Sequence, residues 1–514
     1  VIGVRYLAAI IVVLLYMLFC YFCWFRYRQR QAPLLDIPAS QADDSRSVLV
    51  AFASQTGTAE RIALQSAGQL QQANIKVQLL ALNQLTPEIL LSFEQALFVV
   101  STYGEGEPPD NGGSFIRRYT KSPKDANSLD LSGLKIGILA LGDRSYQHFC
   151  GFGHNLEHLL HSHGAQSLFD LIEVDKCDES DLRHWQYYLG QLTGETQFTD
   201  WTKPEYQPWL LQERHCLNPR SSAAPAFHLR LTPALNAIDS EWHAGDIAEI
   251  GPCNSPTVVQ QFLDEFVLDG DALIDSRALT LRELLQRRQI PDEQSARTKL
   301  RNLTPAEILA SLPELPHREY SIASLPAEGT LDLVVRQMRR EDGQLGIGSG
   351  WLTEYAQQGG EVALRIRSNP SFHTPVDDIP LILIGNGTGL AGLRAHMHTR
   401  IQQNRLSNWL MFGERTLEND FFFADEIHRW KEGGFLSALD LAFSRDQKER
   451  RYVQHLVSEK AADILAWINQ GAAIYVCGSL QGMAKGVDDA LSEILGREQL
   501  ELLTDAGRYC RDVY

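Results

Sequence analysis

Basic charge is in short supply: 47 Lys and Arg stand against 64 Asp and Glu, a formal charge of −17 over 514 residues. A chain this acidic is not built to follow a phosphate backbone, so nucleic acid is excluded as a partner and a basic protein surface is the compatible one. Cysteine is sparse as well. The eight residues, at 20, 23, 150, 177, 216, 253, 477 and 510, show neither paired zinc spacing nor the density of a disulfide framework, a pattern suited to a reducing compartment. No GxxxxGK[ST] loop is present, which excludes a nucleotide P-loop, and no internal repeat of about 20 to 50 residues points to a solenoid or propeller.

Long apolar runs are lacking too, with one exception. Tyr6 to Phe25 reads YLAAIIVVLLYMLFCYFCWF without a charge, long enough as a helix to cross ~30 Å of hydrocarbon. No short apolar core with a small-residue cleavage site marks it as a secretory signal. Arg26, Arg28 and Arg30 follow it, against Arg5 before it. The expectation is therefore a single-pass N-terminal membrane anchor (1–30) with everything after Arg26 cytoplasmic. Cys20 and Cys23 then read as two small apolar residues of that helix. The chain begins with Val1, which leaves open an unusual start codon, processing, or further spans upstream.

The remaining length is too great for one core. Residues 31–46 mix Pro, Ser and Asp without period and read as a linker. From Ser47 the short apolar runs SVLVAFAS, KVQLLAL, QALFVVST and KIGILALG alternate with helical stretches. Runs of this kind are buried on both faces, as in the parallel sheet of a doubly wound α/β domain. That domain is expected over 47–195, followed by a Trp- and Pro-bearing connector over 196–218. Alternating patterns (FHLRL, GDIAEI, REYSIAS, LDLVVRQM, EVALRIR) predict an antiparallel β-barrel over 219–376, with a short helical insertion at 257–312. A second α/β alternation (PLILIG, NWLMFGE, AAIYVCG) fills 377–514.

The chemistry-bearing motifs fall at strand ends, where open α/β sheets bind ligands. Ser54, Gln55, Thr56, Gly57, Thr58 and Ala59 join the first strand to the first helix. Hydroxyls and free backbone N–H groups there form a phosphate site without a cationic side chain, which points to FMN. The next strand ends give Ser101, Thr102, Tyr103, Gly104 and Gly106, then Leu141, Gly142 and Tyr146. Tyr103 and Tyr146, on successive loops of one sheet, can take a planar ring between them. Arg318, Tyr320 and Ser321 open a barrel strand, where a guanidinium suits a pyrophosphate and a phenol ring a flavin. The turn Gly346, Ile347, Gly348, Ser349 suits the same pyrophosphate. In the last region Gly387, Thr388 and Gly389 lie between strand and helix, as dinucleotide binding requires. The loop SRDQKERRY (444–452) is basic and hydroxyl-bearing, which favours a 2′-phosphate and hence NADPH. Cys477 and Gly478 close another strand near the switch point.

With these motifs in this order, the chain from about Ser47 to Tyr514 resembles the diflavin reductases, among them NADPH–haemoprotein reductases and the flavoprotein subunit of assimilatory sulfite reductase. The resemblance implies a flavodoxin-like FMN domain, an FAD-binding barrel and a Rossmann-like NADPH domain. It implies Ser444, Arg445, Arg450, Tyr452 and Gln454 as 2′-phosphate contacts, and Tyr514, at the end of RYCRDVY, as the aromatic that covers the FAD ring. It gives Ser321, Cys477 and Asp512 roles around hydride transfer. Electrons would pass from NADPH to FAD to FMN to a redox acceptor protein, a haemoprotein or similar and possibly membrane-bound. Two departures stand out: an insertion much shorter than the family's connecting domain, and GNGTGLAG where the family has a Pro-Gly-Thr-Gly run followed by Ala-Pro.

His154, His158, His161 and His163 share a helical spacing but lack a Cys or carboxylate companion in the sequence, and no metal is expected. The alternatives carried by the sequence are a sulfite reductase flavoprotein component, a ferric-siderophore or haem-iron reductase, and a non-catalytic flavin-binding interaction module. Between residues 46 and 200, 18 Asp and Glu outnumber 11 Lys and Arg, so an acidic docking face is expected.

Overall fold

The structure, a computed structural model, describes residues 47–54, 57–103, 106–109, 111–120, 129–194, 198–201, 205–234, 241–274, 279–340 and 342–514. The chain divides into two compact units, one ending at Phe198 and the other running from Thr199 to Tyr514.

The first unit is a parallel sheet with helices. Its strands are β1 (Ser47–Ala53), β2 (Lys76–Ala81), β3 (Gln95–Ser101), β4 (Lys135–Gly142), β5 (Gln166–Ser167) and β6 (Ile172–Asp175), in the order β2-β1-β3-β4-β5 with β6 also on β4. Val48 to Ala53 and Ala96 to Val100 are buried along their whole length, because helices cover both faces. The helix Thr58–Gln72 turns Ala59, Ile62, Ala63, Ala67 and Leu70 inward, each large aliphatic contributing about 1.5–3 kcal/mol by burial. Trp185, on helix Glu179–Thr193, donates its indole N–H to Ser66 Oγ at 2.8 Å and joins the two helices. Asp178 caps that second helix by accepting from the Ser180 N–H.

The second unit holds two sheets. The first is antiparallel: β7 (Gln207–Cys216), β8 (Ala226–Pro233), β9 (Ile247–Gly251), β10 (Arg318–Ser321), β11 (Leu331–Arg336) and β12 (Glu361–Arg367), in the order β10-β9-β12-β7-β8-β11. An antiparallel bridge between Ile322 and Leu333 joins its two edges, so the sheet curls into a barrel around Trp209, Leu211, Leu229, Leu231 and Trp242. Four short helices between β9 and β10 (Pro256–Phe266, Leu281–Leu285, Gln294–Leu300, Pro305–Ser311) bury their own cluster, centred on Val259, Phe262, Leu263 and Leu281. Thr280 with Glu283, and Thr304 with Glu307, close reciprocal caps on two of them. The other sheet is parallel, β15-β14-β13-β16-β17, from β13 (Leu381–Asn386), β14 (Asn408–Glu414), β15 (Ala438–Phe443), β16 (Ala473–Gly478) and β17 (Tyr509–Val513).

A buried charge network welds this sheet to the barrel. Arg394, on helix Leu390–Gln402, donates to Ala323 O at 2.6 Å and to Glu426 at 2.8 Å, while His398 bridges Glu328 and Glu426 at 2.7 and 2.8 Å. Burial alone would raise the Glu426 pKa. The hydrogen bonds and charges of His398 and Arg394 outweigh it and bring the carboxyl down to about 2.

One part of the expected fold is corrected. Among the described residues no helix is long and apolar enough to cross a membrane. The run Tyr6–Phe25, its CxxC and the linker at 31–46 lie outside the described residues, so the transmembrane helix and the membrane localisation drawn from it are withdrawn. The physical reason is that apolarity over one helix length states what a segment could do in lipid, not that it forms that helix.

Candidate active site

In the first unit three loops meet at the carboxyl ends of β1, β3 and β4. Gly57 stands at the N-terminus of helix Thr58–Gln72 with φ +91° and an added Cβ would meet nothing within 4 Å, so the left-handed backbone, not crowding, calls for glycine. Its N–H donates to Ser54 Oγ at 2.9 Å, and the Ser54 N–H donates to Asn111 Oδ1 at 2.9 Å. Asn111 thus ties the phosphate-type turn to the next loop. Asn111 was not among the residues singled out from the sequence, although it closes the segment that carries Tyr103.

The second loop leaves β3 with Ser101 Oγ on Ala53 O and Thr102 N–H on Leu141 O, then folds back through a bridge between Tyr103 and Glu107. Leu141 is buried, and a Cβ on Gly142 would meet the Cys150 nitrogen at 2.8 Å. Gly106 takes φ +105°, and Asp143 accepts from Ser145 N–H to shape the third loop. Tyr103 and Tyr146 remain 55% and 48% exposed. Two large aromatics left open on adjacent loops fit a flat ring that would cover them. Ala59 is buried beneath the turn. Gln55, Thr56 and Gly104 lie outside the described residues.

In the second unit the barrel turn and strand come together at one glycine. A Cβ on Gly348 would lie 2.5 Å from Arg318 Cγ and 2.9 Å from Tyr320 Oη, so the turn 346–349 packs directly on both side chains. Ser349 Oγ accepts the Met338 N–H at 3.1 Å, and Gly346 N–H donates to Met338 O; Ile347 opens the short helix Ile347–Gly350. Arg318 rests its guanidinium on the carbonyls of Pro316 and His317. An arginine and a phenol packed on one glycine turn suit a flavin pyrophosphate and ring.

Behind this strand lies a charged cluster that the sequence did not disclose. His317 is enclosed: its Nδ1 lies 2.8 Å from Asp200 Oδ1, its Nε2 3.3 Å from Glu319 Oε1, and its backbone N–H donates to Asp200 Oδ2. Arg367 reaches Glu319 at 3.2 Å, with Glu249 beyond it. Burial would depress the imidazole, but the hydrogen bonds and charges of Asp200 and Glu319 win and raise it to about 9. Asp200 belongs to the connector, so the clamp fixes the connector to the strand carrying Arg318 and Tyr320.

The third group is the tightest. Cys477 at the end of β16 is the register partner of Asp512 in β17, and Ser321 ends β10. Ser321 Oγ donates to Asp512 Oδ2 at 2.6 Å, and Cys477 Sγ lies 3.6 Å from the same oxygen. Burial first, then the Asp512 charge, pushes the Cys477 thiol well above its ordinary value, so it stays protonated. Gly389 lets the next loop approach: a Cβ there would lie 2.1 Å from Cys477 O. Gly387, with φ +54°, faces Arg336 and Glu414, which pair with each other. Gly478 adopts φ +141° against the Asn386 side chain. Tyr514 is 40% exposed, its phenol 3.3 Å from Thr388 Oγ1.

In the loop after β15, Ser444 is buried with its N–H on Glu414 O, whereas Arg445 and Arg450 are exposed and carry no ion pair among the described residues. Arg451 is already taken by Glu459. Tyr452 lies against His455, and Gln454 packs over Gly486. Two open guanidiniums beside a buried serine and an exposed phenol suit a phosphate dianion. On the helix Gly151–Ser162, by contrast, His154 and His161 are held by Glu173 and Ser167, and the following His163 by Leu159 O.

Loops of this chemistry suit a two-flavin pyridine-nucleotide oxidoreductase, and the comparisons with known proteins agree. The Flavodoxin family matches residues 50–185, and the Oxidoreductase NAD-binding domain matches 383–489. The chain is similar to the sulfite reductase [NADPH] flavoprotein alpha-component of Vibrio cholerae serotype O1, 30% identical over 94% of this chain and 91% of that protein. It resembles those of Bacillus subtilis (28%, covering 91% and 89%) and Neisseria meningitidis serogroup B (29%, covering 93% and 92%) in the same way. The chain belongs to the diflavin reductase family. It is an NADPH-dependent flavin oxidoreductase whose cofactors are FMN, FAD and NADPH.

Proposed function

We propose that this chain is the flavoprotein component of a haem-containing reductase and delivers electrons from NADPH to a haemoprotein subunit. Bound NADPH, FAD and FMN would supply the hydride and electron-transfer chemistry, and the protein's part would be to hold and orient them. The observation that carries this reading is the likeness to sulfite reductase flavoprotein alpha-components, over 94% of this chain and 91% of the V. cholerae protein. The word component supports a separate acceptor subunit, and the excess of acidic residues before position 200 supports a basic face on it.

Within this reading Ser321, Cys477 and Asp512 orient the nicotinamide. The Asp512 carboxylate would stabilise positive charge on a nicotinamide held beside it, while the neutral thiol and hydroxyl pack against that carboxylate without adding charge. Arg445 and Arg450, with Ser444, Tyr452 and Gln454, hold the 2′-phosphate. Gly387, Thr388, Gly389 and Gly478 admit the rest of the nucleotide. Arg318, Tyr320 and the turn 346–349 would hold FAD, and Tyr514 would be the aromatic side chain available to cover its ring. Ser54 to Ala59 hold the FMN phosphate, with Tyr103 and Tyr146 on the ring. The domain limits we propose are 47–195 for FMN, 219–376 for FAD with the insertion at 257–312, and 377–514 for NADPH, with 196–218 connecting them.

The test is reconstitution. The chain is mixed with a sulfite reductase haemoprotein subunit and NADPH, and sulfide production is followed. Sulfite-dependent NADPH oxidation is expected only when both chains are present. Rapid reduction of the flavins by NADPH with no transfer to that haem would remove sulfite reductase as the assignment and leave a reductase for another acceptor.

A further inference from the structure

His243, Asp246 and His373 bring two imidazoles and a carboxylate together, their ligand-capable atoms all within 4.8 Å of one another. None of them belongs to a flavin or nucleotide loop. His243 and Asp246 lead into β9, and His373 follows the turn Pro370–Phe372 in the segment between β12 and β13. The Asp246 side chain is 4% exposed and is held from behind, by the Asn369 N–H on Oδ1 at 2.8 Å and the His243 N–H on Oδ2 at 2.9 Å. His373 Nε2 lies 2.6 Å from Oδ1, and His243 Nδ1 lies 3.9 Å from Oδ2. The two rings are 5.2 Å apart between centres, and the His243 side chain is 74% exposed, so the cluster opens to solvent on one side.

Two imidazoles and one carboxylate, with water free to complete the set, suit zinc, nickel or cobalt and not calcium or magnesium, which favour all-oxygen sites. Bonds of about 2.0–2.2 Å put the ligand atoms of a tetrahedral ion roughly 3.3 Å apart. His373 has to withdraw slightly from the carboxylate and His243 to approach it, and both rings sit on loops. A carboxylate fixed by backbone N–H groups is the outer support that metal sites use to orient a ligand.

The cluster is also joined to the hydride centre. Gly245, at φ +102°, lies so close to the turn that a Cβ would stand 2.2 Å from Phe372 O. The Phe372 ring in turn borders Cys477: a Cβ on Gly392 would meet Cys477 Sγ at 3.3 Å and Phe372 Cε1 at 3.4 Å. Tyr475, two residues before Cys477, donates its hydroxyl to His373 O at 2.7 Å.

We propose that His243, Asp246 and His373 bind a divalent transition-metal ion, and that its occupancy stiffens the turn carrying Phe372 and slows hydride delivery beside Cys477. The coupling rests on the hydride-site reading given above; the binding does not. Chelator-treated holoprotein is titrated with zinc chloride by calorimetry, and NADPH-driven bleaching of FAD is followed anaerobically by stopped flow with and without zinc. One ion per chain is expected to bind, with affinity reduced at least roughly tenfold in His243→Ala and in His373→Gln. Zinc should slow bleaching in the wild type, reversibly with chelator, and leave His243→Ala at its unchanged metal-free rate. Unaltered zinc affinity in both variants, or no binding to the wild type, would overturn the site. Binding that is lost in the variants but never affects bleaching would overturn the coupling. A wild type that NADPH cannot bleach even without zinc would instead count against the reductase reading.

Discussion

The loops of the first unit and the strand ends of the second solve opposite problems. Around Gly57, Tyr103 and Tyr146 the site is built largely from backbone N–H groups and exposed rings, with the two tyrosines about half open. Around Cys477 the groups are enclosed: the cysteine is fully buried and Ser321 is 5% exposed. A centre that must surrender electrons to another protein gains from exposure. A centre that moves hydride gains from excluding water, because fixed dipoles act more strongly there. The welding of barrel to nucleotide sheet through Arg394, Glu426 and His398 serves the second need, since Ser321 and Asp512 come from different sheets.

Substitutions should separate the two centres. The largest effect is expected for Asp512→Asn, which keeps the size of the side chain and removes the charge. Loss of one such stabilising group costs about 10²–10³ in rate, so NADPH-driven FAD bleaching should fall by that order while FMN content stays at wild type. Bleaching at the wild-type rate would move the hydride centre away from Asp512. Next is Arg445→Ala. A hydrogen bond to a charged group contributes about 1.5–3 kcal/mol, or roughly ten- to a hundredfold in NADPH affinity. NADH has no 2′-phosphate and should be indifferent; equal losses for both coenzymes in steady-state kinetics would mean that the loop supports folding.

In the first unit Tyr103→Ala removes one stacking partner, about 0.5–1.5 kcal/mol, so FMN should bind up to roughly tenfold more weakly. FAD retention should be unchanged. Extraction and chromatography of the flavins decides it, and loss of FAD in place of FMN would reverse the two assignments. The smallest effect concerns the connector. His317 has a folded pKa near 9, above its ordinary 6.5, so the stability it contributes is complete below about pH 6.5 and fades as pH rises through about 9. Asp200, Glu319, Glu249, Arg367 and Arg365 are the charged groups around it. Melting of the wild type should therefore weaken across that window, and His317→Gln should flatten the dependence. An unaltered pH profile in the variant would show that His317 is not charged in its cage.

Much of the fold was legible because both parallel sheets are covered on two faces. Their strands survive in the sequence as unbroken apolar runs such as VLVAFA from Val48 and LILI from Leu381, bounded by glycine and hydroxyl residues. The glycine turns were visible for a different reason: a glycine such as Gly389 is demanded by a carbonyl 2.1 Å from its absent Cβ. What the sequence hid was pairing across distance. Asp200 with His317, Arg394 with Glu426, and His373 with Asp246 are separated by between 32 and 127 positions, and no local pattern links them. The anchor failed in the other direction, because one run of apolar residues carried an inference that no described helix supports.

In the proposed function hydride enters at the buried centre and electrons leave only through the open one. The most direct measurement compares holoprotein with FMN-depleted protein, prepared as Gly57→Val, which places a β-branched residue at a left-handed position. Both are mixed anaerobically with NADPH, and FAD bleaching and reduction of a haem protein acceptor are recorded together. FAD should be bleached at the same rate in both, while haem reduction is lost from the depleted protein and returns when FMN is restored to a wild type stripped of it. Haem reduction at the holoprotein rate without FMN would contradict that route.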